Sequence, residues 1–196
     1  MTNSLKLGFL LEKSRDISPI LRRFLINTLF DSTFMQLGII MGSAFAAGAD
    51  LRLTIGTLVA SSVALGISTG VSVYESETLE REKKMIELEK ALFRKLDNTM
   101  IAENFKSYAR ILAVVNFFTP LLCCAIVSIP LLFATLKLVD GITASWVSVI
   151  SALGILFITG TYLGRLGKRN PLTKGLRMVV FGVIAFIIGF LIQTWI

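Results

Sequence analysis

Apolar residues in this chain neither alternate strictly nor recur on one narrow stripe. They come in long runs almost free of charge, and the charged residues crowd into the segments between them. Five such runs cover residues 24–48, 53–74, 111–136, 142–164 and 178–196. Each has roughly 19 to 26 residues, enough at about 1.5 Å per residue to cross a hydrocarbon core of about 30 Å. In hydrocarbon every backbone N–H and C=O must be satisfied internally, and runs of this length without strict alternation read as helices rather than barrel strands. The pattern therefore predicts an all-α, polytopic membrane protein with five transmembrane helices. Asp50 and Arg52, Asp140-Gly141 and Asn170-Pro171 mark turns between runs. Ser18-Pro19, a capping residue followed by a first-turn proline, predicts the start of the first helix.

Charge orients the spans. Of 20 Lys and Arg residues, five lie in residues 1–23, eight in 75–110 and five in 165–177; only Arg52 and Lys137 lie at the opposite ends of the spans. Basic residues accumulate in cytoplasmic loops, so the first group is expected in the cytoplasm, with the amino terminus inside and the carboxyl terminus outside. This divides the chain into a cytoplasmic amino-terminal segment (1–23), helices 1 and 2 (24–74), a cytoplasmic helical segment rich in Glu and Lys (75–110) and helices 3 to 5 (111–196). Residues 75–96 contain no Gly or Pro and continue helix 2; Asp97-Asn98-Thr99 predicts a break, and residues 100–110 lead into helix 3. The net charge of +7 fits topology, and no nucleic-acid partner is expected. Residues 5–11 are too short for a signal peptide and run into charged residues, so the expected setting is the cell membrane. There is no His, which removes imidazole-based catalysis and metal sites, and no Asp-rich motif of a lipid-modifying enzyme; no enzyme is expected. Cys123 and Cys124 are neighbours and are not expected to bridge.

Asp31 is the acidic residue inside a span. An intramembrane carboxylate is costly and commonly marks an ion or proton path. Asn27 and Met35, four residues to either side, share its helical face, and amide oxygen, carboxylate and thioether together suit a borderline ion such as Fe2+ or Mn2+. The competing reading is a protonated carboxyl, or one bonded to a neighbouring helix. Gln36, Ser68, Thr69, Ser72, Asn116 and Thr119 add polar groups for either purpose. Pro120 and Pro130 free backbone carbonyls in span three. Gly38/Gly42, Gly66/Gly70 and Gly160/Gly164 have the spacing that lets helices approach closely. Beyond span two, Glu75, Glu82 and Glu89 repeat every seven residues, as do Glu80 and Glu87. They read either as a carboxylate cluster for a cation, completed by another helix or subunit, or as a solvated face with Glu77–Arg81 and Glu80–Lys84 pairs.

The spacing from Asp31 to Gly38 and Gly42, and Val71-Ser72-Val73 followed by Glu75, Glu77, Glu80 and Glu82, resemble the vacuolar iron transporter family. That family has five spans and a cytoplasmic domain between spans two and three. The resemblance covers the layout from about Arg22 to Ile196, with Ser32 where the first-span motif has Gly. It implies a homodimer in the bilayer that exports Fe2+ or Mn2+ from the cytoplasm in exchange for protons. Asp31, Asn27, Met35, Thr69 and Ser72 would line the path. Asp31, Glu75, Glu77, Glu80, Glu82, Glu87, Glu89, Met100 and Glu103 would contact metal, the last two as a Met-x-x-Glu element. No bound cofactor is implied beyond the transported ion. Where the family has Met and Glu in span two, this chain has Leu65 and Thr69. That difference keeps open a second reading, a membrane scaffold or metal sensor without transport.

Overall fold

A computed structural model describes residues 2–45, 50–93, 100–167 and 170–195, without the side chains of residues 2–19, 88, 92, 100–107 and 194. The described residues form five long helices and no strand: α1 (Thr2–Ile39), α2 (Leu51–Leu92), α3 (Met100–Thr135), α4 (Gly141–Leu166) and α5 (Pro171–Trp195). All five contain stretches long and apolar enough to cross a membrane. The all-α, five-span fold expected from the apolar runs is the fold observed.

The helix ends follow local chemistry. α1 passes into a π-helical turn, Ile40–Ala44. Asp50 caps α2 by accepting from the N–H groups of Arg52 (2.8 Å) and Leu53 (3.5 Å). α2 then runs unbroken out of its span through the charged segment, as its strong helix formers predict. It stops at Leu92 rather than at residue 96, because Phe93 turns left-handed (φ 49°) and gives its N–H to the Glu89 carbonyl. The break expected at Asp97-Asn98-Thr99 lies outside the described residues. α3 closes with Leu138 N–H on the Phe133 carbonyl (3.1 Å) and Lys137 N–H on the Ala134 carbonyl (2.9 Å). This crossed pair puts Lys137 in the left-handed region (φ 58°).

Two other ends differ from expectation. α1 continues through Ser18-Pro19 instead of starting there. A proline inside a helix forfeits one backbone bond, whereas propagation adds one for each residue joined, so good formers on both sides can carry a helix across it. α5 begins at Pro171, seven residues ahead of the predicted span; Pro171 takes the first helical position, where its missing N–H costs nothing.

α3 is the central helix and packs against α2, α4 and α1, while α5 lies mainly on α4. The interior is rich in small and polar groups: Thr28, Ser32, Thr33, Gln36, Thr54, Ser62, Asn116, Ser145 and Ser148 are all buried. Large apolar side chains such as Leu122, Ile150, Ile158 and Leu172 face outward. Lipid removes the hydrophobic drive to bury leucine, so helices associate through close contact and hydrogen bonds instead. Two of the three Gly-x-x-x-Gly pairs serve such contacts. A Cβ at Gly66 would stand 2.6 Å from the Phe117 carbonyl oxygen and one at Gly70 3.2 Å from that of Ala113, both across α2–α3. A Cβ at Gly160 or Gly164 would meet Met178, Lys174 or Pro171 across α4–α5. A Cβ at Gly38 or Gly42, the third pair, would meet nothing within 4 Å among the described residues.

Candidate functional site

Asn27, Asp31, Gly38 and Gly42 are exposed on α1 and its π turn, while the residues between them, Thr28, Ser32, Thr33, Gln36, Leu37 and Met41, are buried. Spacings of three, four, seven and eight residues keep a set on one face, so these four form an outward stripe with a carboxylate in its middle. Met35, expected on the same face, is half-buried at the stripe's edge. Among the described residues no hydrogen bond or ion pair holds Asp31. The stripe lies within the membrane span Ile20–Ala44.

Behind α1, a polar seam joins three helices. Thr28 Oγ1 donates to Asn116 Oδ1 (2.8 Å), and Asn116 Nδ2 donates to the Leu112 carbonyl (2.8 Å). Pro120 has no N–H, so the Asn116 carbonyl four residues earlier loses its intrahelical donor. Thr69 Oγ1 on α2 supplies a replacement at 3.3 Å while also donating to the Leu65 carbonyl at 2.8 Å. Gln36 Nε2 reaches Ser62 Oγ and the Pro120 carbonyl, each at 3.3 Å, and its buried Oε1 has no protein partner. Thr69 thus ties α2 to α3. Ser68 and Ser72 are exposed on α2.

Glu77 is unlike the other glutamates of α2. It is 3% exposed and accepts a hydrogen bond from Arg81 Nε at 2.7 Å. The Arg81 guanidinium lies 3.9 Å from the ring centroid of buried Tyr108, a cation–π contact between α2 and α3. Val73 and Leu112 pack beside it, backed by Ile20, Leu21 and Phe24 of α1. Glu80 bonds Lys84 Nζ (2.9 Å) in the open, and this hydrogen bond and the ammonium charge hold its carboxyl below the usual range. Glu75, Glu82 and Glu87 are exposed and Glu89 is half-buried. Met100 and Glu103 sit on α3, but their side chains lie outside those described. No three Asp, Glu or Cys side chains converge among the described residues of the chain.

The Asn116 hub and the Tyr108 seat escaped sequence reading as a set. Pro120 was the available signal for the first, since a freed carbonyl in a membrane needs a donor from a neighbouring helix. Nothing local marks Tyr108.

Comparison with known proteins adds a family. Residues 98–194 match the VIT family. Over that stretch, just under half of the chain, the sequence is similar to the VIT family. VIT family members are membrane transporters of metal ions, and the five apolar helices agree in making the chain a multi-pass integral membrane protein. The VIT match takes in Met100, Glu103, Asn116 and Pro120; Asp31, Thr69 and the α2 glutamates lie ahead of it. An uncharacterized protein of Methanocaldococcus jannaschii is 24% identical over 174 residues, 87% of each chain, so similarity extends well beyond the VIT-matched half.

Proposed function

We propose that the chain is a homodimeric transporter that exports Fe2+ or Mn2+ from the cytoplasm in exchange for protons, with Asp31 on the ion path. The observation that carries this reading is the outward stripe of α1. A carboxylate facing lipid is costly, and a second copy placed across a two-fold axis would cover it. Gly38 and Gly42, where an added Cβ would meet nothing within 4 Å among the described residues, leave room for a close approach by the partner's α1. Two Asp31 carboxylates would then meet at the axis, flanked by Asn27 and Met35. A pair of carboxylates neutralised in turn by one divalent ion or by protons is a minimal element for exchange. Ser72 and the α2–α3 tie at Thr69 would border this path.

Beyond the span, Glu75, Glu80, Glu82, Glu87 and Glu89 would collect metal with Met100 and Glu103. A hard-to-borderline cation takes several oxygen ligands, so a second subunit would complete the set. Glu77, already taken by Arg81, would hold the helices in place instead. The distribution of Lys and Arg supports an amino terminus in the cytoplasm, a carboxyl terminus outside, and residues 75–110 as the cytoplasmic segment.

One observation favours a second reading. Thr69 spends its hydroxyl on backbone carbonyls, and Leu65 offers no ligand, so α2 brings no carboxylate into the span. A sensor or scaffold would retain the fold and bind metal without moving it.

Fe2+ uptake by proteoliposomes, with and without an imposed pH gradient, separates the readings. Uptake that follows the gradient and is lost in folded, dimeric Asp31→Ala supports exchange through Asp31. Unchanged flux in that variant removes Asp31 from the path. A folded dimer that binds Fe2+ and Mn2+ but moves neither supports the sensor.

A further inference from the structure

Beyond its apolar run, α2 keeps a face that its own chain leaves bare. Glu77 is buried, Arg81 lies over the Tyr108 ring of α3, and Met85 is half-buried on the same side. Leu79 and Ile86 point the other way, 54% and 50% exposed, and Phe93 closes their row at the helix end, 97% exposed. The three are seven residues apart, about two turns of helix, so they lie along one line. They stand in the charged segment that starts at Glu75, outside the lipid, where a row of bare apolar side chains marks a contact surface. Lys83 and Lys90 alternate with them on the same face. Exposed glutamates border the face, Glu75 and Glu82 on one side, Glu80 and Glu87 on the other. An apolar residue at one position of each heptad, lysine at the facing position and acidic residues on both flanks form one half of a coiled-coil seam.

The membrane identifies the occupant. A second copy inserted in the same orientation brings its own α2 out of the bilayer parallel to the first and at the same depth. Two-fold symmetry then sets Leu79 against Leu79 and Ile86 against Ile86. Lysine within a seam favours one register and two strands, and the spans hold the two arms at a high effective concentration, which lets so short a stripe pair. In a parallel pair the flanking residue of one helix faces the residue five positions on in the other. Glu75 would face Glu80 of the second copy, and Glu82 its Glu87, each twice by symmetry. All four meetings are between like charges, so the arms repel until cations lie between them. We infer that the α2 arms of two copies pair along Leu79, Ile86 and Phe93 as a short parallel seam, closed by divalent cations between the facing glutamates. This rests on the metal-collecting role proposed for those glutamates and adds what the metal does there: it draws the two arms together.

The test uses full-length Ile86→Cys in proteoliposomes, with Mn2+ or with a chelator, and a bismaleimide spanning about 8–10 Å, the separation of packed helix axes. The native Cys123 and Cys124 are buried. The initial rate of cross-linked dimer is read on a denaturing gel. Like-charge neighbours on helices shift an equilibrium about 1.4- to 2.3-fold each, so neutralising four facing pairs with Mn2+ should speed cross-linking about 4- to 30-fold. Ala91→Cys, exposed but about a third of a turn off the seam, should cross-link slowly with or without Mn2+. Adding Glu75→Gln, Glu80→Gln, Glu82→Gln and Glu87→Gln to Ile86→Cys should give fast cross-linking that no longer responds to Mn2+. If Ile86→Cys does not fold, Leu79→Cys, one layer nearer the bilayer, decides in the same way. Equal rates at Ala91 and Ile86, or no cross-link at Ile86 in protein that light scattering shows to be dimeric, would overturn the seam. A rate at Ile86 that ignores Mn2+, or a Mn2+ response that survives the four Gln changes, would overturn closure by cations. Mn2+-closed arms in a dimer that moves no metal would uphold this inference while removing the transport reading.

Discussion

Replacing Gly66 by alanine tests the packing that organises the bundle. The added Cβ would stand 2.6 Å from the Phe117 carbonyl oxygen, with Phe117 Cδ2 at 3.4 Å. The oxygen belongs to α3 backbone and cannot rotate away, so α2 and α3 must separate by about 0.8 Å to restore ordinary contact. Thr69 sits three residues on and reaches the Asn116 carbonyl at 3.3 Å, so the same separation carries that bond beyond hydrogen-bonding range. Overpacking costs about 1–3 kcal/mol, and an interhelical bond in a membrane protein contributes about 0.6 kcal/mol. Alanine's better helix propensity returns about 1 kcal/mol. The net expectation is a loss of about 0.6–2.6 kcal/mol. Gly56 provides the control: its Cβ would meet nothing within 4 Å among the described residues, so Gly56→Ala should be neutral or stabilising by up to about 1 kcal/mol. Reversible unfolding of both variants in mixed micelles, followed by circular dichroism, measures the difference. Gly66→Ala as stable as Gly56→Ala would refute the close α2–α3 contact and the role given to Thr69.

Thr69→Val keeps the shape but strands the Asn116 carbonyl, and should cost about 1 kcal/mol in the same unfolding assay. Glu77→Gln leaves Arg81 without its charged partner at a buried site and should destabilise by on the order of 3 kcal/mol, while Glu80→Gln in the open pair with Lys84 should stay within about 0.5 kcal/mol; comparing their unfolding midpoints checks both. Lys137→Gly relieves a left-handed lysine at the end of α3 and should raise stability by about 0.5–1 kcal/mol, read as an increase in unfolding midpoint.

The five spans were legible because hydrocarbon imposes one rule on every position, and runs such as residues 178–196 contain no charge to break it. The continuation of α2 into its charged segment was legible for a similarly local reason, the absence of Gly and Pro between Glu75 and Leu92. Ser18-Pro19 misled because a cap is judged from two residues, whereas the helix is decided by everything on both sides. For the site, sequence spacing put Asn27 and Asp31 on one face of α1. It could not say that this face looks outward, since α1 carries apolar residues all round. Spacing likewise found the Glu77–Arg81 pair but not its burial, which depends on Tyr108, more than two dozen residues further along the chain. Thr69 illustrates the same gap: its hydroxyl was plain, but its acceptor is created by a proline on another helix.

α2 has 42 residues and no proline, so at about 1.5 Å per residue it is a rod of about 63 Å, roughly twice the thickness of the hydrocarbon core it crosses. A helix without proline or π-bulge bends only gently. It is clamped to α3 at Gly66 and Gly70 and again where Arg81 lies over Tyr108, and Glu82, Glu87 and Glu89 ride on the arm beyond. From Arg81 to Leu92 that arm is about 16 Å long, so a tilt of about fifteen degrees at the last clamp sweeps its tip through about 4 Å, close to the spacing between adjacent turns of a helix. Mechanically, α2 is a lever with its fulcrum at Arg81, and changes of angle there become changes of nearly a whole ligand position at the carboxylates.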